Sequence, residues 1–81
     1  MLSIKVLGSG CANCTKLEAL VKEAIAELGV EAEVSKVQDW PQIMAYGVMA
    51  TPGLVINEKV VHAGSLPDKA KVVSLITSAL V

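Results

Sequence analysis

Gly8-Ser9-Gly10-Cys11-Ala12-Asn13-Cys14-Thr15-Lys16 carries both cysteines of the chain, spaced C-x-x-C, between an apolar run and an amphipathic stretch. Glycine tolerates positive φ without steric cost, so the glycines here predict a sharp turn off a strand. A helix starting after the turn aims its unpaired backbone N–H groups, and the positive end of its dipole, back at Cys11. A thiolate is an anion, and that position favours the charged, nucleophilic form over the thiol. Two cysteines within one helical turn can also close on each other after one has attacked. The stretch reads as a redox centre.

The residues on either side supply the strand and the helix. Upstream, Leu2, Ile4, Val6 and Leu7, interrupted by Ser3 and Lys5, predict a buried strand ending at Gly8. Downstream, Leu17, Leu20, Val21, Ala24, Ile25 and Leu28 recur at helical spacing. Glu18 and Lys22 form an i,i+4 pair, and Gly29 suits the residue just past a helix end. Val30 to Val37 begins with alternation, Val30, Ala32 and Val34 against Glu31, Glu33 and Ser35, which predicts a half-exposed strand near a sheet edge.

Asp39 and Gln42 match a capping box, with Pro41 in the first turn, and predict a short helix that packs Trp40, Ile43 and Met44 inward and ends at Gly47. Gly53 to Ile56 and Val60 to Ala63, around Asn57-Glu58-Lys59, predict an antiparallel hairpin. Ser65 with Asp68 predicts the cap of a last helix containing Pro67. Its expected stripe is Leu66, Ala70, Val73, Ile76 and Leu80, widened by Val72 and Leu75. The resulting order is β-α-β-α-β-β-α. A crossover between the first two strands puts the C-x-x-C at the carboxyl end of a central strand, where open α/β sheets carry their sites.

Bulk properties exclude several functions. Eighty-one residues predict a single domain, residues 1–81. Hydrophobic residues make up 53% and charged residues 19%, enough to bury a core. Seven basic and eight acidic side chains give a net charge of −1, which offers no footprint for nucleic acid or an anionic membrane. No apolar run approaches the ~20 residues of a membrane helix. Met1 to Leu7 lacks the long apolar region of a signal peptide, so a cytoplasmic location is expected. There, a C-x-x-C pair points to redox work or metal rather than a structural disulfide.

Cys11-Ala12-Asn13-Cys14 after the first strand, together with Ala50-Thr51-Pro52 just before the hairpin, resembles the thioredoxin/glutaredoxin superfamily over essentially the whole chain. The likeness is greatest to the small redox-active disulfide proteins, the archaeal glutaredoxin-like group. It implies a thioredoxin-like α/β fold, a four-stranded mixed sheet flanked by three helices. It also implies a thiol–disulfide oxidoreductase with Cys11 and Cys14 as the catalytic pair and no cofactor. In that superfamily the Thr-Pro bond is cis and lies against the cysteines. By resemblance, Pro52 is the cis residue, and Ala50 and Thr51 present backbone to an extended substrate segment, a form of β-augmentation. Only X–Pro bonds adopt the cis form at a modest cost of ~0.5–1 kcal/mol.

The motif departs from the thioredoxin pattern in places. Gly10 stands where thioredoxins carry an aromatic residue, Ala12-Asn13 stands for their Gly-Pro, and Lys5 falls where they bury an Asp. Deprotonation of the second thiol then falls to another acceptor, such as water or a partner. Gly64-Ser65 only faintly echoes the anion-binding turn of glutaredoxins.

By this reading Cys11, nearer the surface, attacks a partner disulfide, and Cys14 attacks Cys11 to release the reduced partner. Gly10, Ala12, Asn13 and Lys16 are supporting candidates: Asn13 as a hydrogen-bond donor to sulfur, Lys16 as a source of positive potential. Met49 lies near Thr51-Pro52 in sequence and is a candidate cover for the disulfide, Tyr46 is expected to pack beside the short helix, and His62 reads as a structural or surface residue. The implied partners are protein disulfides and an upstream reductase, for a monomer without metal.

The rival reading is a soft-metal chaperone, because two thiolates on a strand-to-helix turn also bind Cu(I) linearly. Ser9 in place of that family's Met, a terminal helix in place of a strand, and the Thr51-Pro52 element weigh against it. A redox-silent interaction module of the same fold is the third class.

Overall fold

The computed structural model describes residues 2–8 and 12–80. Gly10 and Cys11, two of the predicted site residues, lie outside the described residues. The described elements are β1 (Leu2–Leu7), α1 (Ala12–Leu28), β2 (Ala32–Val37), α2 (Trp40–Ala45), β3 (Gly53–Ile56), β4 (Lys59–Ala63) and α3 (Lys69–Ala79). The four strands form one mixed sheet in the order β2-β1-β3-β4. β1 pairs parallel with β2 and antiparallel with β3, and β3 pairs antiparallel with β4. β1 is therefore an interior strand, and β2 is an edge, as its alternating polar face predicts.

The sheet buries two faces of unequal size. Leu2, Ile4 and Val6 of β1, with Leu54 and Ile56 of β3, meet Leu17, Val21 and Ala24 of α1 and Val72 and Ile76 of α3. Val55 and Leu7 point the other way and pack with Val37, Ile43 and Val48 beneath α2. Successive strand residues face opposite sides, so a strand covered on both faces must be apolar throughout. β3, Gly-Leu-Val-Ile, is buried at every position.

Several local expectations give way to neighbouring groups. Lys59 belongs to β4 rather than to the turn, because Asn57 and Glu58 both take positive φ, 51° and 67°, and close a two-residue hairpin. A register shift pairs Leu54 with His62 but Val55 with Val60, which leaves Val61 as an extra residue. α3 is capped by Asp68, whose carboxylate accepts the Lys71 N–H at 2.8 Å, and not by Ser65. Pro67 disfavours helical geometry at Leu66, so the helix cannot begin until the proline is passed. Ser65 Oγ instead shares a hydrogen bond with His62 Nε2 at 3.0 Å. The α3 stripe is centred on Val72 and Ile76, with Ala70 and Leu80 exposed.

α2 also departs from expectation. Asp39 is its N-cap, but the side chain makes no capping hydrogen bond, so the predicted capping box is not formed. Pro41, as the second helical residue, has no N–H to offer it. With only six residues the helix has one inward position, taken by Ile43; Trp40 is 43% and Met44 61% exposed, against the inward packing expected of both.

Candidate active site

β1 runs to Gly8, whose N–H donates to the Val37 carbonyl at 2.9 Å and so extends the parallel ladder one step beyond the strand. α1 begins at Ala12, and its third residue, Cys14, turns inward and is 6% exposed, in the disulfide form. Gly8 and Cys14 meet so closely that a Cβ on Gly8 would come within 3.0 Å of Cys14 Cβ and onto its Sγ. Thr51 Cβ would lie 3.7 Å from the same point. Gly8 takes no positive φ, so the glycine is required there by space and not by the backbone conformation expected of it.

The segment before β3 reaches the same end of the sheet. The Thr51–Pro52 peptide is cis, and Pro52 is fully buried. Its carbonyl accepts the Gly64 N–H at 3.0 Å, which ties this loop to the end of β4. Ala50 is exposed and Thr51 half-buried. Cys14 and Thr51 are thus gathered around Gly8. Ala12, Asn13 and Lys16 are exposed on the first turns of α1. Met49, the candidate cover, is 88% exposed, so its side chain is not packed against the described residues of the site. A small cavity of about 20 Å³ adjoins Cys14, lined by Val6, Gly8, Cys14, Thr15, Lys36 and Gln38.

Lys5 shows what becomes of the charge beneath the motif. Its ammonium donates to Glu58 Oε1 at 2.6 Å and to the Tyr46 hydroxyl at 2.9 Å, and Tyr46 donates to Glu58 Oε2 at 2.9 Å. The Glu58 and Tyr46 hydrogen bonds raise the Lys5 pKa, while the hydrogen bonds from Lys5 and then Tyr46 lower that of Glu58. This triad joins β1, the end of α2 and the hairpin turn. Spacing alone did not reveal it, because its members are brought together only by sheet pairing.

A carboxyl whose pKa is depressed by folding stabilises above its unfolded value, and the contribution fades as pH falls through the folded one. Wild-type protein should therefore melt higher than Glu58→Gln at pH 7, with the gap closing below about pH 4. A gap in melting temperature of equal size at pH 7 and pH 3 would refute the ion-pair role.

A Thioredoxin domain family model matches residues 2–77. The chain belongs to the thioredoxin family. It is 35% identical over 77 residues to a thioredoxin of Methanothermobacter thermautotrophicus, covering 95% of this chain and all of the relative. A thioredoxin of Methanocaldococcus jannaschii is 34% identical over 80 residues, covering 99% of this chain and 92% of the relative. Among solved structures, a mutant thioredoxin from Halobacterium salinarum superposes with a TM-score of 0.72 at 25% identity, over 95% of this chain and 73% of that one. A malarial protein matches the fold alone, with a TM-score of 0.73 at 15% identity over all of this chain and 99% of that one. With its family, this thioredoxin-fold chain is a protein-disulfide oxidoreductase. Among the described residues no helix is long and apolar enough to cross a membrane.

Proposed function

We propose that the chain reduces partner disulfides, or carries electrons between dithiols, through Cys11 and Cys14. Cys11, as thiolate, attacks one sulfur of the partner disulfide; that S–S bond breaks, and its electron pair leaves on the other partner sulfur. Cys14 then attacks Cys11, the mixed disulfide breaks, and the second partner sulfur departs. The partner has gained two electrons and two protons, and the pair Cys11–Cys14 is oxidised. An upstream reductase of the cytoplasm returns the electrons.

The observation that supports this reading most directly is the inward, buried setting of Cys14 beside Gly8 and Thr51. A thiol so placed reaches a sulfur three residues back in its own chain more readily than a bulky protein disulfide, which suits the resolving step. Ala50 and Thr51 are assigned to the partner's backbone and Pro52 to shaping that loop. Asn13 and Lys16 remain supporting groups on the helix entrance, beside Ala12.

The test is reduction of a model protein disulfide by the dithiol form, with Cu(I) affinity measured alongside. Stoichiometric reduction with conversion of both cysteines to a disulfide is the expected result. No reduction, with Cu(I) bound far more tightly than by thioredoxins, would transfer the two sulfurs to metal carriage.

A further inference from the structure

The end of the sheet remote from Cys14 is open on the side of α3. β3 ends at Ile56, which pairs with Ile4 of β1 and with Lys59 across the hairpin. Antiparallel partners lie on one face, so Lys59 stands on the side of Ile56, the side covered by α1 and α3. That face calls for an apolar residue and holds an ammonium. The last turn of α3 offers little to cover it: Ile76 is buried, but Ser78 and Ala79 after it are small. Small side chains keep the helix and the hairpin apart, and a cavity of about 310 Å³ opens between them. Val61, the extra residue of the bulge, forms part of its wall.

The lining divides by chemistry. Ile56, Val61, Leu75 and Ala79 make an apolar wall, with Leu75 and Ala79 one helical turn apart. Lys59, Asn57 and Ser78 stand at exposed positions and supply the polar groups. No carboxylate lines the cavity. Among the described residues Lys59 forms no ion pair. Asn57 Oδ1 accepts the Ser3 N–H at 3.1 Å, which leaves the amide N–H groups of Asn57 to donate. The volume falls at the lower end of small-molecule pockets, about 300–1,000 Å³.

We propose that this cavity binds a monocarboxylate with a linear apolar tail, the tail against Ile56, Val61 and Leu75 and the carboxylate at Lys59. A neighbouring cavity of about 360 Å³ shares Ala79 and is walled by Leu2, Val30 and Leu80, but it carries Glu31, which repels the same ligand. Charge therefore selects the hairpin side of α3. Gly8 and Cys14 lie beyond the opposite end of β1, so this site and the thiol chemistry are tested separately.

The experiment titrates the whole chain with sodium octanoate, below the concentration at which it forms micelles, and follows the methyl signals by NMR. Those of Ile56, Val61, Leu75 and Ala79 should move together and saturate. Shortening the acid to hexanoate should weaken binding about two- to fourfold per methylene removed. Lys59→Gln should weaken it about threefold, the worth of one exposed ion pair. Lys71→Gln, on α3 but outside the cavity, should change nothing. Ala79→Leu fills the space and should cost at least about tenfold in affinity, the loss of a few buried methylenes, without lowering the melting temperature. Octylamine should bind more weakly than octanoate.

Shifts that never saturate, equal affinity for octanoate and octylamine, or shifts centred on Leu2 and Val30 would each overturn the proposal. Movement of the same methyl signals with protein concentration alone, alongside a dimer in sedimentation, would also overturn it and assign the face to a second copy of the chain.

Discussion

Cys14→Ser should stop the exchange halfway. Incubated with a disulfide-bearing protein, this variant should accumulate a covalent complex through Cys11 that survives non-reducing electrophoresis and dissolves on adding dithiothreitol. Turnover should fall by at least about a hundredfold, as it does when one member of a concerted catalytic unit is removed. Cys11→Ser should be equally inactive but should trap almost nothing, because the remaining sulfur is buried and cannot meet a protein disulfide. The asymmetry, more than the loss of activity, carries the information. Equal trapping by the two variants would show that the inward setting of Cys14 does not separate the two roles.

Gly8→Ala should be the most damaging glycine-to-alanine change among the described residues. A Cβ there has no free volume: it would overlap the Cys14 sulfur and come within 3.0 Å of Cys14 Cβ, with Thr51 close behind. None of these neighbours yields easily, since Cys14 is fixed in α1 and Gly8 is pinned by its hydrogen bond to Val37. Overpacking in tight interiors costs about 1–3 kcal/mol, and we expect the upper end here. For a domain of this size that lowers the melting temperature by roughly 10–20 °C.

Reduction should soften the effect, because a free thiol can rotate away from the new methyl and a bonded sulfur cannot. The variant's disulfide should accordingly become easier to reduce, and its redox midpoint should move in the oxidising direction. Gly53→Ala, where the nearest atom is Leu7 Cδ1 at 3.3 Å, offers a milder comparison. Equal melting of the Gly8 variant and wild type in both redox states would show that the close approach is not needed.

Much of the architecture could be read from residue spacing. The apolar periods of Leu2 to Leu7 and Leu17 to Leu28, and the alternation starting at Val30, of which the strand keeps the part from Ala32, report one-dimensional patterns that survive folding. The sequence reading failed where a second group decided the outcome. Asp39 and Asp68 both precede helices, but only Asp68 caps through its side chain, because Pro41 removes a donor from the first and Pro67 sets the starting point of the second. Trp40 and Met44 look like core residues by composition, yet a six-residue helix turns a single position fully inward. Lys59 falls in the turn by spacing alone, yet Asn57 and Glu58 close the turn by themselves at positive φ, uncommon for Glu58. Its carboxylate instead reaches Lys5 and Tyr46.

The same limit applies to the site. C-x-x-C and Thr-Pro stand out in the chain because their spacing is short. Gly8 against Cys14 depends on the β1–β2 register and on where α1 lands.

The two sides of the sheet differ in how firmly they are held. Beneath α1 and α3 lies a broad layer contributed by every strand, whereas the six-residue α2 is fastened chiefly through Ile43 and its small set of neighbours. Under native conditions, deuterium should therefore enter the amides of α2 and of residues 46–51 through partial openings, while β1, β3 and the middle of α1 exchange only when the whole chain comes apart. The loop assigned to meeting other proteins would then yield to their differing shapes, while the scaffold holding the second sulfur stays put.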